Sequence, residues 1–227
     1  MCYNLTMETK QSYNNDIKIS YVKSGKGQPI ILLHGNFQSN EVYHQLIGKL
    51  TKDNYEVFAP DTRSFGKSDK AKRLNYNDIA EDIKILIEKE QIKNPILFGF
   101  SNGGVAGLLL AIKYPNLLKK LVVSGINLNP KGIALKYRIV MKIIFFFTRK
   151  DNFRLMLTQP DITSNQLKKI TTPTTVLYGE KDIVDLKQSE EAVENVKNGK
   201  LMILDGEDHA SHVIDNNKLY KILKDII

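Results

Sequence analysis

Apolar residues occur along this chain in two alternating patterns: short continuous runs, and longer stretches in which they return every three or four positions. A continuous run is typical of a strand buried on both faces of a sheet, and the longer spacing is typical of an amphipathic helix. One early stretch, residues 17–22, alternates apolar and polar positions and predicts a half-exposed edge strand. The predicted buried strands are 29–33, 55–59, 96–98, 121–123, 174–178 and 201–204. The predicted helices are 41–50, 76–90, 105–114, 187–196 and 217–226.

The regular exchange of strand and helix predicts an α/β fold with a mostly parallel central sheet and helices on both faces. In such sheets reactive groups collect at the carboxyl ends of the strands. Residues 127–165 break the rhythm, because they show no strand pattern and offer helical stretches that are apolar and basic. We interpret this segment as a short helical cap over the strand ends, within a single domain formed by residues 1–227.

Three consecutive phenylalanines, residues 145–147, leave the role of the cap open. They are compatible with core packing, with a lid that faces a substrate pocket, or with a helix lying in a membrane interface. The third interpretation draws on the basic residues that flank them, since an interfacial helix carries basic residues on the polar face next to its apolar face. These basic residues are Lys136, Arg138, Lys142, Arg149 and Lys150.

Composition narrows the class of protein. The content of 42% hydrophobic and 26% charged residues is that of an ordinary globular domain, which argues against disordered and fibrous classes. The net charge of +8 would suit an acidic partner, but the basic residues are scattered among acidic ones and form no aromatic-studded groove. We therefore expect no nucleic acid partner.

The polar residues 1–20 lack the apolar centre of a secretory signal. The most apolar window, residues 139–147, contains Lys142 and is far shorter than the roughly 20 residues that span a bilayer. Cys2 is the single cysteine, which excludes an internal disulfide and fits a reducing compartment. These observations predict a cytoplasmic protein without stable membrane insertion, and they leave its oligomeric state open.

The segment Gly-Phe-Ser-Asn-Gly, residues 99–103, lies directly between a predicted strand and a predicted helix. A serine in a tight turn of this kind needs small residues two positions before and after it, because a Cβ there would collide with the neighbouring backbone. Gly99 and Gly103 fill both positions, so Ser101 is the candidate nucleophile of an acyl-transfer reaction. A phosphate-binding turn is disfavoured, since neither G-x-G-x-x-G nor a Lys-Ser/Thr pair is present.

A serine hydroxyl is a weak nucleophile and needs a histidine base that a carboxylate holds in position. His209 is our candidate base, because it lies in a glycine-containing loop after the last predicted strand. His212 lies three residues later, where a helix is expected to begin. His34 ends a buried strand and is expected to brace the loop that follows, and His44 lies in a predicted surface helix.

The carboxylate is expected in the turn after the strand at 174–178. Asp182 is best placed there to reach the base, and Glu180 and Asp185 remain alternatives. The oxyanion needs a second backbone donor from another strand end, and the loop after residues 29–33 supplies it. We expect the N–H groups of Asn36 and Asn102 to form this oxyanion hole.

Together these residues resemble the motifs of the α/β hydrolase fold superfamily. Residues 34–36 (His-Gly-Asn) resemble its oxyanion loop, and 61–68 (Asp-Thr-Arg-Ser-Phe-Gly-Lys-Ser) resemble its D-x-R-G-x-G-x-S turn, with Ser64 where glycine is usual. Residues 173–182 resemble its acid segment and 206–209 its base segment, in the family order of nucleophile, acid and base. The resemblance covers nearly the whole chain and implies an α/β hydrolase.

We therefore expect a serine hydrolase that needs neither cofactor nor metal, most simply a carboxylesterase acting on a small apolar ester. In this hypothesis Ser101 attacks, His209 transfers the proton and Asp182 orients the imidazole. The same triad could serve C–C bond hydrolysis, acyl transfer, lactone opening or perhydrolysis. A hypothesis of another class is a non-catalytic ligand-binding or sensor protein on the same scaffold.

Overall fold

The computed structural model describes residues 7–227, so Cys2 lies outside the described residues. The strands are β1 (Glu8–Asn14), β2 (Ile17–Gly25), β3 (Gln28–Leu33), β4 (Tyr55–Pro60), β5 (Ile96–Phe100), β6 (Lys120–Ser124), β7 (Thr174–Lys181) and β8 (Gly199–Asp208). The helices are α1 (His44–Lys52), α2 (Tyr76–Lys89), α3 (Asn102–Lys113), α4 (Leu135–Thr148), α5 (Asp151–Thr158), α6 (Ser164–Leu167), α7 (Leu186–Asn195), α8 (Ser211–Ile214) and α9 (Asn216–Ile226).

The strands form one eight-stranded sheet in the order β1-β2-β4-β3-β5-β6-β7-β8. β2 pairs antiparallel with β1 and with β4, and the pairs from β4 through β8 are parallel. Parallel neighbours need long crossover connections, which the helices supply. The predicted α/β fold with a mostly parallel sheet is confirmed.

The strand β3 shows how the core is divided between the two faces. Its side chains point alternately to opposite faces of the sheet. Ile31 and Leu33 pack in a cluster with α2 and α3, and Ile30 and Leu32 pack in a second cluster with α1 and α9. Helices therefore cover both faces of the sheet. The carboxyl ends of the parallel strands all lie at the same edge of this sheet.

Both edges of the sheet differ from the sequence prediction. The stretch 17–22 lies in β2, second from the edge, because β1 pairs outside it. β1 is polar and buries only Ser12, so no hydrophobic pattern marks it. Backbone pairing holds it, together with a hydrogen bond from Asn14 Nδ2 to Asp82 (2.8 Å). The run at 201–204, predicted to be buried on both faces, forms part of the opposite edge strand, β8.

Residues 127–165 contain a 3-10 turn, α4, α5 and the start of α6, and no strand is described between Ser124 and Thr174. We call residues 127–165 the helical insertion. Leu155 of α5 joins the core, whereas no side chain of α4 is fully buried. Phe146 and Phe147 are 63% and 78% exposed, so core packing is excluded for both. Among the described residues no helix has the length and apolar character needed to cross a membrane.

Candidate active site

Ser101 lies in the turn between β5 and α3, with φ 51° and ψ −115°. A positive φ is uncommon for a residue with a side chain and marks a strained turn. A Cβ added to Gly99 would lie 2.4 Å from the Gly103 carbonyl oxygen, and one added to Gly103 would lie 2.4 Å from the Leu33 carbonyl oxygen. Glycine at both positions therefore lets the chain reverse this tightly, and the Ser101 N–H is fixed by the Ser124 carbonyl (2.8 Å).

Ser101, His209 and Asp182 form one chain of side-chain contacts. The Oγ of Ser101 lies 3.2 Å from Nε2 of His209, and Nδ1 of His209 lies 2.7 Å from Oδ1 of Asp182. A carboxylate only accepts hydrogen bonds, so Nδ1 carries the hydrogen and the lone pair of Nε2 faces Ser101. This arrangement can accept the serine proton during nucleophilic attack.

The environment of Asp182 holds it in place. Its side chain is fully buried, and its Oδ1 also accepts a hydrogen bond from the Val184 N–H (2.9 Å). The ring of His209 is 21% exposed and lies against Phe100, with ring centroids 5.1 Å apart. Gly125, at φ 62°, lies so close that an added Cβ would be 2.7 Å from Cε1 of His209. The imidazole is thus confined from three sides.

The alternative residues have other partners in the structure. Glu180 accepts a hydrogen bond from the Gly206 N–H (2.7 Å), and Asp185 caps α7 by accepting from the Lys187 N–H (3.0 Å). His212 is fully buried, and its Nε2 lies 2.6 Å from Oγ of Ser124. Burial lowers the pKa of His212, which favours a neutral ring. None of these side chains joins the Ser101 contact chain.

Asn102 is the first residue of α3, so its backbone N–H lies at the positive end of the helix dipole. Its side chain is fixed by Tyr76, whose hydroxyl donates to Oδ1 of Asn102 (2.7 Å). Burial raises the pKa of Tyr76, so this hydroxyl keeps its proton and stays a donor. No motif pointed to Tyr76, because it is distant in sequence and lies in an ordinary amphipathic helix.

The loop after β3, residues 34–37, carries Asn36 and runs beside the turn at Ser101. A Cβ on Gly35 would lie 2.8 Å from the Phe100 ring, so glycine allows this close approach. The side chain of Asn36 contacts the helical insertion, since its Nδ2 lies 3.1 Å from Sδ of Met156. Phe37 adds a second contact, with its ring 5.1 Å from that of Phe153. The insertion therefore touches the predicted oxyanion loop directly.

His34 braces the same loop. The Thr62 N–H donates to its Nε2 (3.0 Å), which leaves the hydrogen on Nδ1, and Nδ1 donates to the Gly35 carbonyl (2.7 Å). Burial lowers the pKa of His34, in keeping with this neutral form. The ring ties the end of β3 to the turn after β4.

The turn at residues 61–68 is held by Asp61, which accepts hydrogen bonds from the N–H groups of Asn40 (2.7 Å) and Lys67 (2.8 Å). Ser64, which stands where the superfamily usually has glycine, has φ 72°. This left-handed conformation explains the usual glycine, because other residues adopt it at a cost.

An open cavity of about 550 Å³ adjoins the loop 34–37. It is lined by Phe37, Gln38, Ser39, Val42, Ser64, Phe65 and Gly66, without Ser101 or His209.

Within residues 7–227, no group of three or more His, Cys, Asp or Glu side chains is placed to hold a metal ion.

A sequence profile described as the alpha/beta hydrolase fold matches residues 28–152, more than half of the chain. The matched stretch includes the loop 34–37 and the turn at Ser101. This chain belongs to the α/β hydrolase fold family.

This α/β hydrolase is 30% identical over 114 residues to cis-3-alkyl-4-alkyloxetan-2-one decarboxylase of Shewanella oneidensis, covering 48% of this chain and 36% of that enzyme. It is 25% identical to human serine hydrolase BPHL, over 94% of this chain and 84% of that protein. The chain spans about a third of the length of the first curated relatives it matches.

Among solved structures, the esterase from Exiguobacterium antarcticum superposes with a TM-score of 0.83 at 20% identity. The superposition covers 97% of this α/β hydrolase and 98% of that chain. At this identity the likeness concerns the fold, which extends over almost the whole chain.

Proposed function

We propose that this protein is a serine hydrolase of carboxylic esters, with Ser101 as nucleophile, His209 as general base and acid, and Asp182 as the orienting carboxylate. The observation that carries the proposal is the continuous contact from Ser101 Oγ through His209 to the buried carboxylate of Asp182. A serine in a strained turn between strand and helix is the arrangement expected of an activated nucleophile.

In the proposed reaction, Oγ of Ser101 bonds to the ester carbonyl carbon while Nε2 of His209 takes the hydroxyl proton. The carbonyl oxygen becomes an oxyanion, which the backbone N–H groups of Asn36 and Asn102 stabilise. Collapse of this intermediate breaks the ester C–O bond, and His209 returns its proton to the leaving alcohol. Water then attacks the acyl enzyme by the same steps and releases the acid.

A small, fairly apolar ester is the proposed substrate. Acyl transfer, lactone opening, C–C hydrolysis and perhydrolysis use the same attack and differ in the bond cleaved or in the molecule that resolves the intermediate. The cytoplasmic location stays a prediction from composition.

A fluorophosphonate probe tests the proposal without knowledge of the substrate, since it reacts with an activated serine. Intact-mass analysis should show one adduct on the wild-type protein and none on Ser101→Ala or His209→Ala. Ser39→Ala and His44→Ala, which change residues outside the contact chain, are the matched controls and should label like wild type.

An adduct that persists in folded Ser101→Ala would disprove the assignment of the nucleophile. The absence of any adduct on folded wild-type protein would favour the ligand-binding hypothesis instead. With labelling established, a screen of esters, thioesters and lactones with product analysis would separate hydrolysis from the related reactions.

A further inference from the structure

The helix α4 carries most of the exposed large apolar side chains in the described part of the chain. Seven of twelve such residues lie on it, and the remaining five are scattered over other elements. Large contiguous apolar surface on a protein of ordinary composition marks a site of interaction. Those on α4 are Leu135, Tyr137, Ile139, Val140, Ile143, Phe146 and Phe147.

Helical geometry sorts the residues of α4 into three bands. At 3.6 residues per turn, six of the exposed apolar residues fall within an arc of about 140°, which we call the outer stripe. Lys136 falls within the same arc in the first turn of α4, where its long side chain can extend to the end of the stripe. A second band lies on the opposite side of the helix and is less exposed, with Tyr137 at 36% as its most exposed member. The outer stripe comprises Leu135, Ile139, Val140, Ile143, Phe146 and Phe147. The inner band comprises Tyr137, Met141, Ile144 and Phe145.

The third band is basic. Arg138 and Lys142 lie one turn apart beside the outer stripe, and with Lys131 they line a cavity of about 320 Å³. We call these three residues the basic flank. No acidic residue lines the cavity, and Nε of Arg138 is buried there without a hydrogen-bond partner among the described residues. Within the described residues, the basic flank is therefore a cluster of positive charges without a neighbouring carboxylate to neutralise it.

The charge of the surrounding segment has the same sign. Residues 130–154 contain seven basic residues and one acidic residue, Asp151, which is paired with Arg154. A symmetric contact between two copies through this face would bring like charges together, with no carboxylate left to neutralise them. An anionic lipid surface supplies both an apolar phase for the outer stripe and phosphates for the basic flank.

We propose that α4 lies in the interface of an anionic lipid bilayer, with the outer stripe among the acyl chains and the basic flank on lipid phosphates. The helix would lie parallel to the membrane plane, as an apolar stripe with a basic flank requires. This proposal concerns where the protein binds and does not depend on the reaction at Ser101.

Vesicle co-sedimentation tests this proposal on the full chain. Affinity for vesicles of phosphatidylcholine mixed with phosphatidylglycerol should exceed that for phosphatidylcholine alone by tenfold or more, and should fall as salt is added. Phe146→Ser/Phe147→Ser should weaken binding at least tenfold, because both rings leave the outer stripe. Lys131→Glu/Lys142→Glu should weaken it by a similar factor.

Two matched double variants serve as controls. Ile203→Ser/Ile214→Ser removes two exposed apolar side chains elsewhere, and Lys197→Glu/Lys221→Glu makes the same charge change away from α4. Both should bind vesicles within twofold of wild type. Thermal melting should show every variant folded, since all the substituted side chains are at least partly exposed.

The chain has no tryptophan, so a single introduced indole reports its own surroundings. Emission of Phe147→Trp should shift to shorter wavelength when phosphatidylglycerol vesicles are added. Tyr13→Trp, on β1 at 55% exposure, should show no shift. Together with sedimentation, this places the outer stripe inside the apolar phase.

Several results would overturn the proposal. These are wild-type binding that ignores phosphatidylglycerol, control variants that weaken binding as much as the α4 variants, and an unshifted Phe147→Trp emission. Light scattering that shows a wild-type dimer, which Phe146→Ser/Phe147→Ser dissociates, together with no vesicle binding would assign the face to a second copy instead.

Discussion

His209 is positioned by Gly125 as well as by its carboxylate partner. Gly125 has φ 62°, and an added Cβ would lie 2.7 Å from the imidazole. Gly125→Ala should displace the ring and lower kcat by about 10- to 100-fold, as small misplacements of catalytic groups do. Gly206→Ala is the matched control, because Gly206 also has a positive φ but nothing lies within 4 Å of its added Cβ.

Both glycine variants should lose a similar 1–2 kcal/mol, roughly, from the backbone conformation alone. Ester hydrolysis and fluorophosphonate labelling rates, measured on folded protein, separate the two effects. Equal activities in the two variants would show that Gly125 has no part in holding the base.

Asp182→Asn tests the charge of the carboxylate. The asparagine oxygen can still accept from His209 and Val184, because Oδ2 of Asp182 has no hydrogen-bond partner in the described structure and can be replaced by NH₂. The imidazolium then lacks its counter-charge, so kcat should fall by about 10²- to 10⁴-fold, less than in Ser101→Ala or His209→Ala. Glu180→Gln should stay near wild type, and the reverse order of activities would reassign the acid.

At the scale of elements, the contact between α2 and the start of α3 depends on Tyr76. Tyr76→Phe leaves the side chain of Asn102 without its donor, which should cost about 1–2 kcal/mol of unfolding free energy. Tyr21→Phe removes another tyrosine hydroxyl bond, to the Glu90 carboxylate, and is the control because it should cost at least as much stability without contacting Asn102. Activity per folded molecule should fall in Tyr76→Phe alone, and equal activities would limit Tyr76 to a structural role.

His212 of α8 contacts Ser124 at the end of β6, and its burial there predicts that the free energy of unfolding depends on pH. Burial lowers the pKa of His212 in the folded protein, whereas the unfolded chain takes up a proton near the ordinary value of about 6.5. The unfolded state therefore binds more protons below that pH, and stability falls on acidification. His212→Gln should unfold with a flatter pH dependence between pH 7 and 5, measured by urea denaturation; an unchanged slope would contradict the assignment.

Elements that carry a local hydrophobic pattern were predictable, and elements held by distant pairing were not. The runs that became β3 and β5 lie in the centre of the sheet, where burial on both faces demands apolar side chains. β1 is held mainly by backbone hydrogen bonds to β2, which do not require apolar side chains. The helical pattern of the sequence predicted that α3 begins at residue 105. In the structure the helix begins at Asn102, directly after Ser101 in the turn.

The same distinction applies to the candidate site. Ser101, Asp182 and His209 lie in short motifs whose glycines and turn residues determine local geometry, so sequence led to them directly. Tyr76, Gly125 and Met156 contact the site from elements that are remote in sequence, and nothing in their own neighbourhoods marks them.

For the whole molecule, burial predicts a gradient of local stability. The central strands β3, β5 and β6 are mostly buried, and each pairs with a neighbouring strand on both sides. By contrast, α4 has no fully buried side chain. Amide hydrogen exchange should therefore be slower in these strands than in α4. Protection of α4 equal to that of β5, in protein without lipid, would contradict this gradient.

The helical insertion supplies no hydrogen bond to Ser101, His209 or Asp182 in the described structure. Its contacts with the remainder of the chain include Asn36 Nδ2 with Met156 Sδ (3.1 Å), Arg154 Nη2 donating to the Leu74 carbonyl (2.6 Å) and the Ala134 N–H donating to the Ile183 carbonyl (3.0 Å). The three side chains proposed for the reaction therefore all come from outside the insertion. An exchange of the insertion between related chains would leave these groups in place, as long as the core position of Leu155 and the bonds of Arg154 and Ala134 are kept.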